Sequence, residues 1–173
     1  MNRLVTIALL ASLISCTHNQ QPKKLPVPKS EVKRKLLGIN QKLVDKDKEE
    51  ILAYISRQKL TMVQSQSGLF YYIFGKAKGP KPKAGNVVVY HYRISLLDGT
   101  ECYKSEPNKP ESFVVGHGGV ETGLEEAIKL MHKGQNAILI LPPHLAHGLI
   151  GDLDRIPPRS SIIYEVSLID VLK

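Results

Sequence analysis

"RIPPRSSIIYEVSLIDVLK" occupies residues 155–173. Two adjacent prolines, Pro157 and Pro158, stand before a long alternating run rich in β-prone residues. A proline cannot donate to a sheet ladder, so the pair belongs at the mouth of a strand and not at its centre. The residue before a proline is confined to extended geometry, which makes Ile156 a stiffly held apolar side chain at that mouth. Beyond it, Ile162, Tyr164, Val166 and Leu168 recur at period two and face one way across a last strand.

Working outward from this strand, the period changes twice. "NAILILPP", residues 136–143, reads as a strand ended by two prolines. Before it, "TGLEEAIKLMHKG", residues 122–134, is an amphipathic helix. Its Leu124, Ala127, Ile128 and Met131 share a face, and Gly134 serves as its stop. "ESFVVG", residues 111–116, is a short strand. "VVVYHYRISLLDG", residues 87–99, is a long strand closing on an Asp-Gly turn. "LTMVQSQSGLFYYIFGKAKG", residues 60–79, reads as two strands about a Ser-Gly turn, and a proline-rich loop follows it. The expected class is therefore α+β, an antiparallel sheet with one helix laid across it.

Residues 30–59 have a helical period. Ser30 is placed to cap a short helix in which Val32, Leu36, Ile39 and Leu43 form an apolar seam, interrupted by Gly38. Asp45 is placed to cap a second helix running to Gln58, with Ile51, Leu52 and Ile55 on one side. The pair is either a satellite packed on the domain or an arm through which two copies form a homodimer. Residues 16–29 are polar and proline-bearing, the composition of an extended tether. Residues 1–15 read as a signal peptide, with Arg3 before an apolar stretch, Leu4 to Ile14, that is too short to span a bilayer. "LISC", residues 13–16, resembles the bacterial lipobox, which implies lipid attachment at Cys16. The expected location is the cell envelope, lipid-anchored and facing the periplasm, with the outer membrane favoured.

Other function classes find little support. The net charge of +8 comes from lysines scattered through tether and loops without interleaved aromatics, so nucleic acid is not an expected partner. With Cys16 acylated, Cys102 has no disulfide partner and reads as a small buried hydrophobe. No nucleophile with a partnered base is evident. The glycines of Gly116-His117-Gly118-Gly119 lack the Lys-Ser/Thr of a phosphate cradle. His144 and His147 lack further ligands and follow two prolines, so neither a metal nor any cofactor is expected.

The ordered segments "HYRISLLDGTE", "FVVGHGGVETGLEEAIKLMHKGQNAILILPPHLAHG" and "RIPPRSSIIYEVSLIDV" together resemble the FKBP-type peptidyl-prolyl isomerases. The resemblance covers about residues 85–173, and residues 64–86 are similar to the lead-in of exported members with N-terminal helices. With the lipobox, the layout is similar to the gliding-motility-associated lipoproteins of that family. The resemblance implies an FKBP-like half-barrel sheet wrapped around one helix, over residues 60–173. It implies an apolar slot for a substrate proline formed by Tyr92, Phe113, Val120, Leu124, Ile156 and Tyr164, with the Val120 N–H gripping a substrate carbonyl. Tyr103, Glu121 and His147 would touch the substrate. Partners would be proline-containing peptides or unfolded envelope proteins, and the membrane through the lipid. The departures also cluster at the slot. Leu124 replaces a tryptophan, Cys102-Tyr103 a Phe-Asp pair, His147 a tyrosine, and Glu111 an aromatic wall. Those departures favour an alternative, a non-catalytic chaperone or scaffold component of an envelope machine.

Overall fold

The computed structural model describes residues 28–173. The expected signal peptide, most of the tether and Cys16 lie outside the described residues.

Strand β1 (Val63–Gln64) pairs with β2 (Phe70–Phe74), and β2 with β6 (Asn136–Leu141). β6 then pairs with β7 (Ile162–Leu172), and β7 with β3 (Val87–Leu96). All these pairings are antiparallel, giving the order β1-β2-β6-β7-β3. The outer flank of β3 is shared by β5 (Glu111–Val114), which pairs along Val87–Tyr90, and β4 (Glu101–Lys104), which pairs along Arg93–Ser95. Between those two stretches the Ser105 hydroxyl accepts from the Tyr92 N–H at 3.1 Å, and the Ser105 N–H donates to the Tyr92 carbonyl at 3.0 Å. The gap in the ladder is thereby satisfied, and the outer flank of the Tyr92 backbone is held without a strand on that side.

Helix α2 (Thr122–Leu130) covers one face of the sheet. Leu124, Ala127, Ile128 and Met131 are all fully buried, packed with Tyr90, Phe113, Leu139, Leu141, Tyr164, Val166 and Leu168. The helix ends at Leu130, before the expected stop at Gly134. Met131 leaves the helical region in extended geometry, which lets its side chain stay on the core face while the chain turns toward β6. Close approach of α2 to β6 requires glycine at position 123: a Cβ there would lie 2.6 Å from Leu141 Cγ.

The N-terminal extension is one continuous helix, α1 (Lys29–Gln58), and not two capped helices. Pro28 occupies its N-cap, Ser30 lies in its first turn, and Asp45 sits mid-helix accepting from the Gln41 side chain at 3.0 Å. A single interior glycine costs about 1 kcal/mol relative to alanine, too little to break a 30-residue helix at Gly38. The C-terminal part of α1 packs on the back of the sheet through Ile51, which joins Phe70, Ile140 and Ile163 in a second apolar cluster. An ion pair at 2.5 Å between Asp47 and Arg159 fixes the crossing, and Asp47 is buried. Leu52, expected beside Ile51, is exposed, as are Val32, Leu36 and Ile39 of the seam. The packed-satellite expectation therefore describes the second half of α1, while its first half presents an uncovered apolar stripe.

Candidate functional site

An open cavity of about 630 Å³ lies between the concave face of the sheet and the segment leading into α2. Its walls come from four strands, the turn before α2 and the loop between β6 and β7. β3 contributes Tyr90, Tyr92 and Ile94 at alternate positions, as the two-residue repeat of a strand requires. β5 contributes Phe113, β7 contributes Tyr164, and the residues before α2 contribute Val120 and Glu121. β4 brings Tyr103, and the long loop between β6 and β7 brings Ala146, His147 and Asp152.

The aromatic side chains form one contiguous lining. The Tyr90 and Phe113 rings meet edge-to-face at a centroid distance of 5.7 Å, and Tyr92 lies 5.9 Å from both Tyr90 and Tyr164. These are favourable aromatic geometries. Burial holds the phenols of Tyr90, Tyr92 and Tyr164 above the ordinary tyrosine range, with nearby Glu121 adding to the effect at each. All three stay protonated across physiological pH.

Of the nine expected slot and substrate residues, seven share this cavity: Tyr92, Tyr103, Phe113, Val120, Glu121, His147 and Tyr164. Leu124 and Ile156 do not line it. Leu124 is fully buried in the core beneath it, and Ile156 is 2% exposed within the same cluster. Their place is one layer back, because α2 presents Leu124 to the sheet and Val120 with Glu121 occupy the cavity side of the turn. Ile156 acts from behind by fixing its loop: its N–H donates to Asp152 Oδ1 at 2.8 Å. Cys102 is buried as expected, and burial pushes its thiol up.

The cavity is not uniformly apolar, contrary to the expectation of a greasy slot. The Tyr164 hydroxyl donates to Glu121 Oε2 at 2.8 Å. The other Glu121 oxygen lies 2.9 Å from His147 Nε2. That approach is a close contact without an aligned hydrogen bond, and among the described residues the buried nitrogen has no other partner. Asp152 was not foreseen. Burial alone would raise its pKa, but the Tyr103 hydroxyl donating at 2.5 Å, the N–H groups of Asp154 and Ile156, and nearby His147 outweigh burial and hold it at about 2. The same hydrogen bond, with burial second, pushes the Tyr103 phenol up to about 12. Asp152 is thus charged and Tyr103 protonated throughout the physiological range. The sequence signal for Asp152 was local: an Asp two residues before another loop residue whose N–H it accepts is an Asx-turn. Tyr90, also missed, was readable as the neighbour of Tyr92 at period two.

His144, considered as a metal ligand, instead pairs its Nε2 with the Ser67 carbonyl at 2.9 Å. Among the described residues no group of three His, Cys, Asp or Glu side chains is placed to hold a metal ion.

Comparison with known proteins agrees with this architecture. A family model described as FKBP-type peptidyl-prolyl cis-trans isomerase matches residues 79–169. The chain is 38% identical over 108 residues to "FKBP-type peptidyl-prolyl cis-trans isomerase FkpA" of Escherichia coli (strain K12), covering 62% of this chain and 39% of that protein. It is 40% identical over 91 residues to "Peptidyl-prolyl cis-trans isomerase Fkbp12" of Drosophila melanogaster, covering 52% of this chain and 84% of that one. The crystal structure of FkpA from Escherichia coli superposes with a TM-score of 0.64 at 29% identity, over 84% of this chain and 74% of that chain. AtFKBP13 gives a TM-score of 0.61 at 28% identity, over 64% of this chain and 98% of the other.

Proposed function

The chain belongs to the FKBP-type peptidyl-prolyl cis-trans isomerase family, and from that premise we propose that it catalyses X-Pro rotation in the Tyr92–Phe113–Val120–Tyr164 cavity. The observation that carries this reading is the open, aromatic-lined cavity itself. Rotation about an X-Pro bond breaks amide resonance against a barrier of about 18–20 kcal/mol. A planar amide carries more charge on oxygen than a twisted one. A cavity that grips the prolyl ring while stripping water from the preceding carbonyl therefore penalises the planar state more than the twisted one. No proton transfer is required, which agrees with phenols kept neutral by burial. Lowering the barrier by about 4 kcal/mol gives roughly a thousandfold acceleration.

The test is two-dimensional exchange NMR on a Leu-Pro or Phe-Pro peptide. We expect the cis–trans exchange rate to rise in proportion to protein concentration. An exchange rate equal to that of peptide alone, with the protein folded, overturns the reading.

A second reading, a non-catalytic chaperone or scaffold component of an envelope machine such as a gliding apparatus, draws on the Glu121–Tyr164 bond inside the cavity. It predicts peptide binding without acceleration. Placement in the envelope rests on "LISC" at residues 13–16 and on the apolar stretch before it. Two acyl chains on Cys16 would make a durable anchor, and the proline-bearing tether would hold the domain off the membrane. Among the described residues no helix is long and apolar enough to cross a membrane. A labelled fatty acid should enter the wild-type chain and not Cys16→Ala; equal labelling of both removes the anchor.

A further inference from the structure

We propose that this cavity selects prolines flanked by a basic residue, with Glu121 as the specificity-determining carboxylate and Glu111 and Asp152 as its support; this rests on the cavity being the prolyl site. Glu121 is the observation that points to a cationic ligand. Its side chain is 13% exposed, and its hydrogen-bond donor is the neutral Tyr164 hydroxyl. Its other oxygen faces a histidine nitrogen that makes no aligned hydrogen bond. A carboxylate this far out of water is costly unless a cation completes its shell. Among the described residues no lysine or arginine lines the cavity. Arg155 stacks over the Tyr103 ring at 5.3 Å, outside the lining, and donates to the Cys102 carbonyl. It is a bystander to Glu121.

The surroundings reinforce the sign. Glu111 also lines the cavity, on the strand that carries Phe113, and Asp152 keeps its charge through three hydrogen bonds. Glu121 accepts from Tyr164 and Asp152 from Tyr103, so two of the three carboxylates are joined to tyrosines of the cavity wall, and tyrosine ring faces also attract cations. A lysine or arginine next to the bound proline would meet an acid within a side chain's reach and a ring to lie along. A glutamate there would be repelled. His147, 2.9 Å from the other Glu121 oxygen, competes with a ligand cation for that oxygen.

The experiment measures binding and exchange in the same samples, using three otherwise identical proline peptides with Lys, Leu or Glu before the proline. Affinities come from calorimetry and rates from exchange NMR, at low and at high salt. The expected order is Lys, then Leu, then Glu. The Lys peptide should bind at least about tenfold more tightly than the Glu peptide, and the ratio should shrink at 1 M salt, where screening acts within about 3 Å. Glu121→Gln should narrow the ratio most and Glu111→Gln partly, each with the melting curve checked for an intact fold. Equal affinities for all three peptides, or a ratio unchanged in Glu121→Gln, overturn the inference. The order of binding tests the inference even if no peptide is accelerated; absent acceleration with the order retained counts against the isomerase reading alone.

Discussion

Tyr164→Ala is expected to lower the unfolding free energy by about 3–5 kcal/mol, the range for removing a large buried aromatic side chain. Tyr164 is 4% exposed and lies in the central strand of the sheet, with Ile94 across the ladder and the Tyr92 ring 5.9 Å away. Truncation also removes the hydroxyl that donates to Glu121, so a mostly buried carboxylate loses its hydrogen bond. Because that variant is expected to be poorly folded, Tyr164→Phe separates the two effects. It keeps the ring, and with it the wall of the cavity, while deleting the donor. Urea unfolding followed by circular dichroism measures the first variant. A loss below about 1 kcal/mol would mean that Tyr164 is not the packing residue described here. For Tyr164→Phe, peptide binding should survive; its complete loss in a stably folded protein would show that the hydroxyl, and not the ring, holds the ligand.

Gly151→Ala should cost about 3 kcal/mol and unseat the loop that carries Asp152 and Ile156. Gly151 is buried at φ +71°, in the left-handed region that L side chains rarely adopt. An added Cβ would stand 2.1 Å from the Ile156 carbonyl oxygen and 2.8 Å from the Pro157 carbonyl carbon. Those atoms belong to backbone held by two prolines and by the Asp152 hydrogen bonds, so they cannot step aside cheaply. Two distinct readouts are expected: a lower denaturation midpoint, and shifted Tyr103 ring resonances as its bond to Asp152 is lost. A variant as stable as the wild type, with Tyr103 unmoved, would contradict this loop geometry.

These residues show where sequence reasoning reaches and where it stops. β7 and α2 were legible because one face of each is buried in the core, which imposes a period of two or 3.6 on the residue types themselves. Ile162, Tyr164, Val166 and Leu168 are all buried, and so are Leu124, Ala127, Ile128 and Met131. β4 was not legible. Its four residues, Glu101–Lys104, have charged ends, and they form a strand through pairing with β3 and not through local preference. The break read before Asp45 failed for a related reason: α1 is fixed over its last turns by Ile51 and the Asp47–Arg159 pair, and continuity is cheap once one end is docked.

The cavity was half legible. Its aromatic walls lie on regular strands, where direction follows from position, and Tyr92, Phe113 and Tyr164 all line it. Leu124 and Ile156 were placed one layer too far forward, because the turn into α2 and the loop after Gly148 decide which side chain reaches the opening. The Glu121–Tyr164 bond joins residues far apart in sequence, and no spacing rule anticipates such a pair. It also changes the chemistry, from a slot that only excludes water to one that carries charge where a flanking side chain would lie.

The central claim is that the prolyl ring of a substrate enters the aromatic cavity between β3, β5 and β7. Intermolecular NOEs between an isotope-filtered Leu-Pro peptide and the labelled protein test it most directly. The account predicts cross-peaks from the prolyl ring protons to the rings of Tyr92, Phe113 and Tyr164 and to the Val120 methyl groups. Cross-peaks confined to the apolar stripe of α1 at Val32, Leu36 and Ile39, with the cavity rings silent, would contradict it.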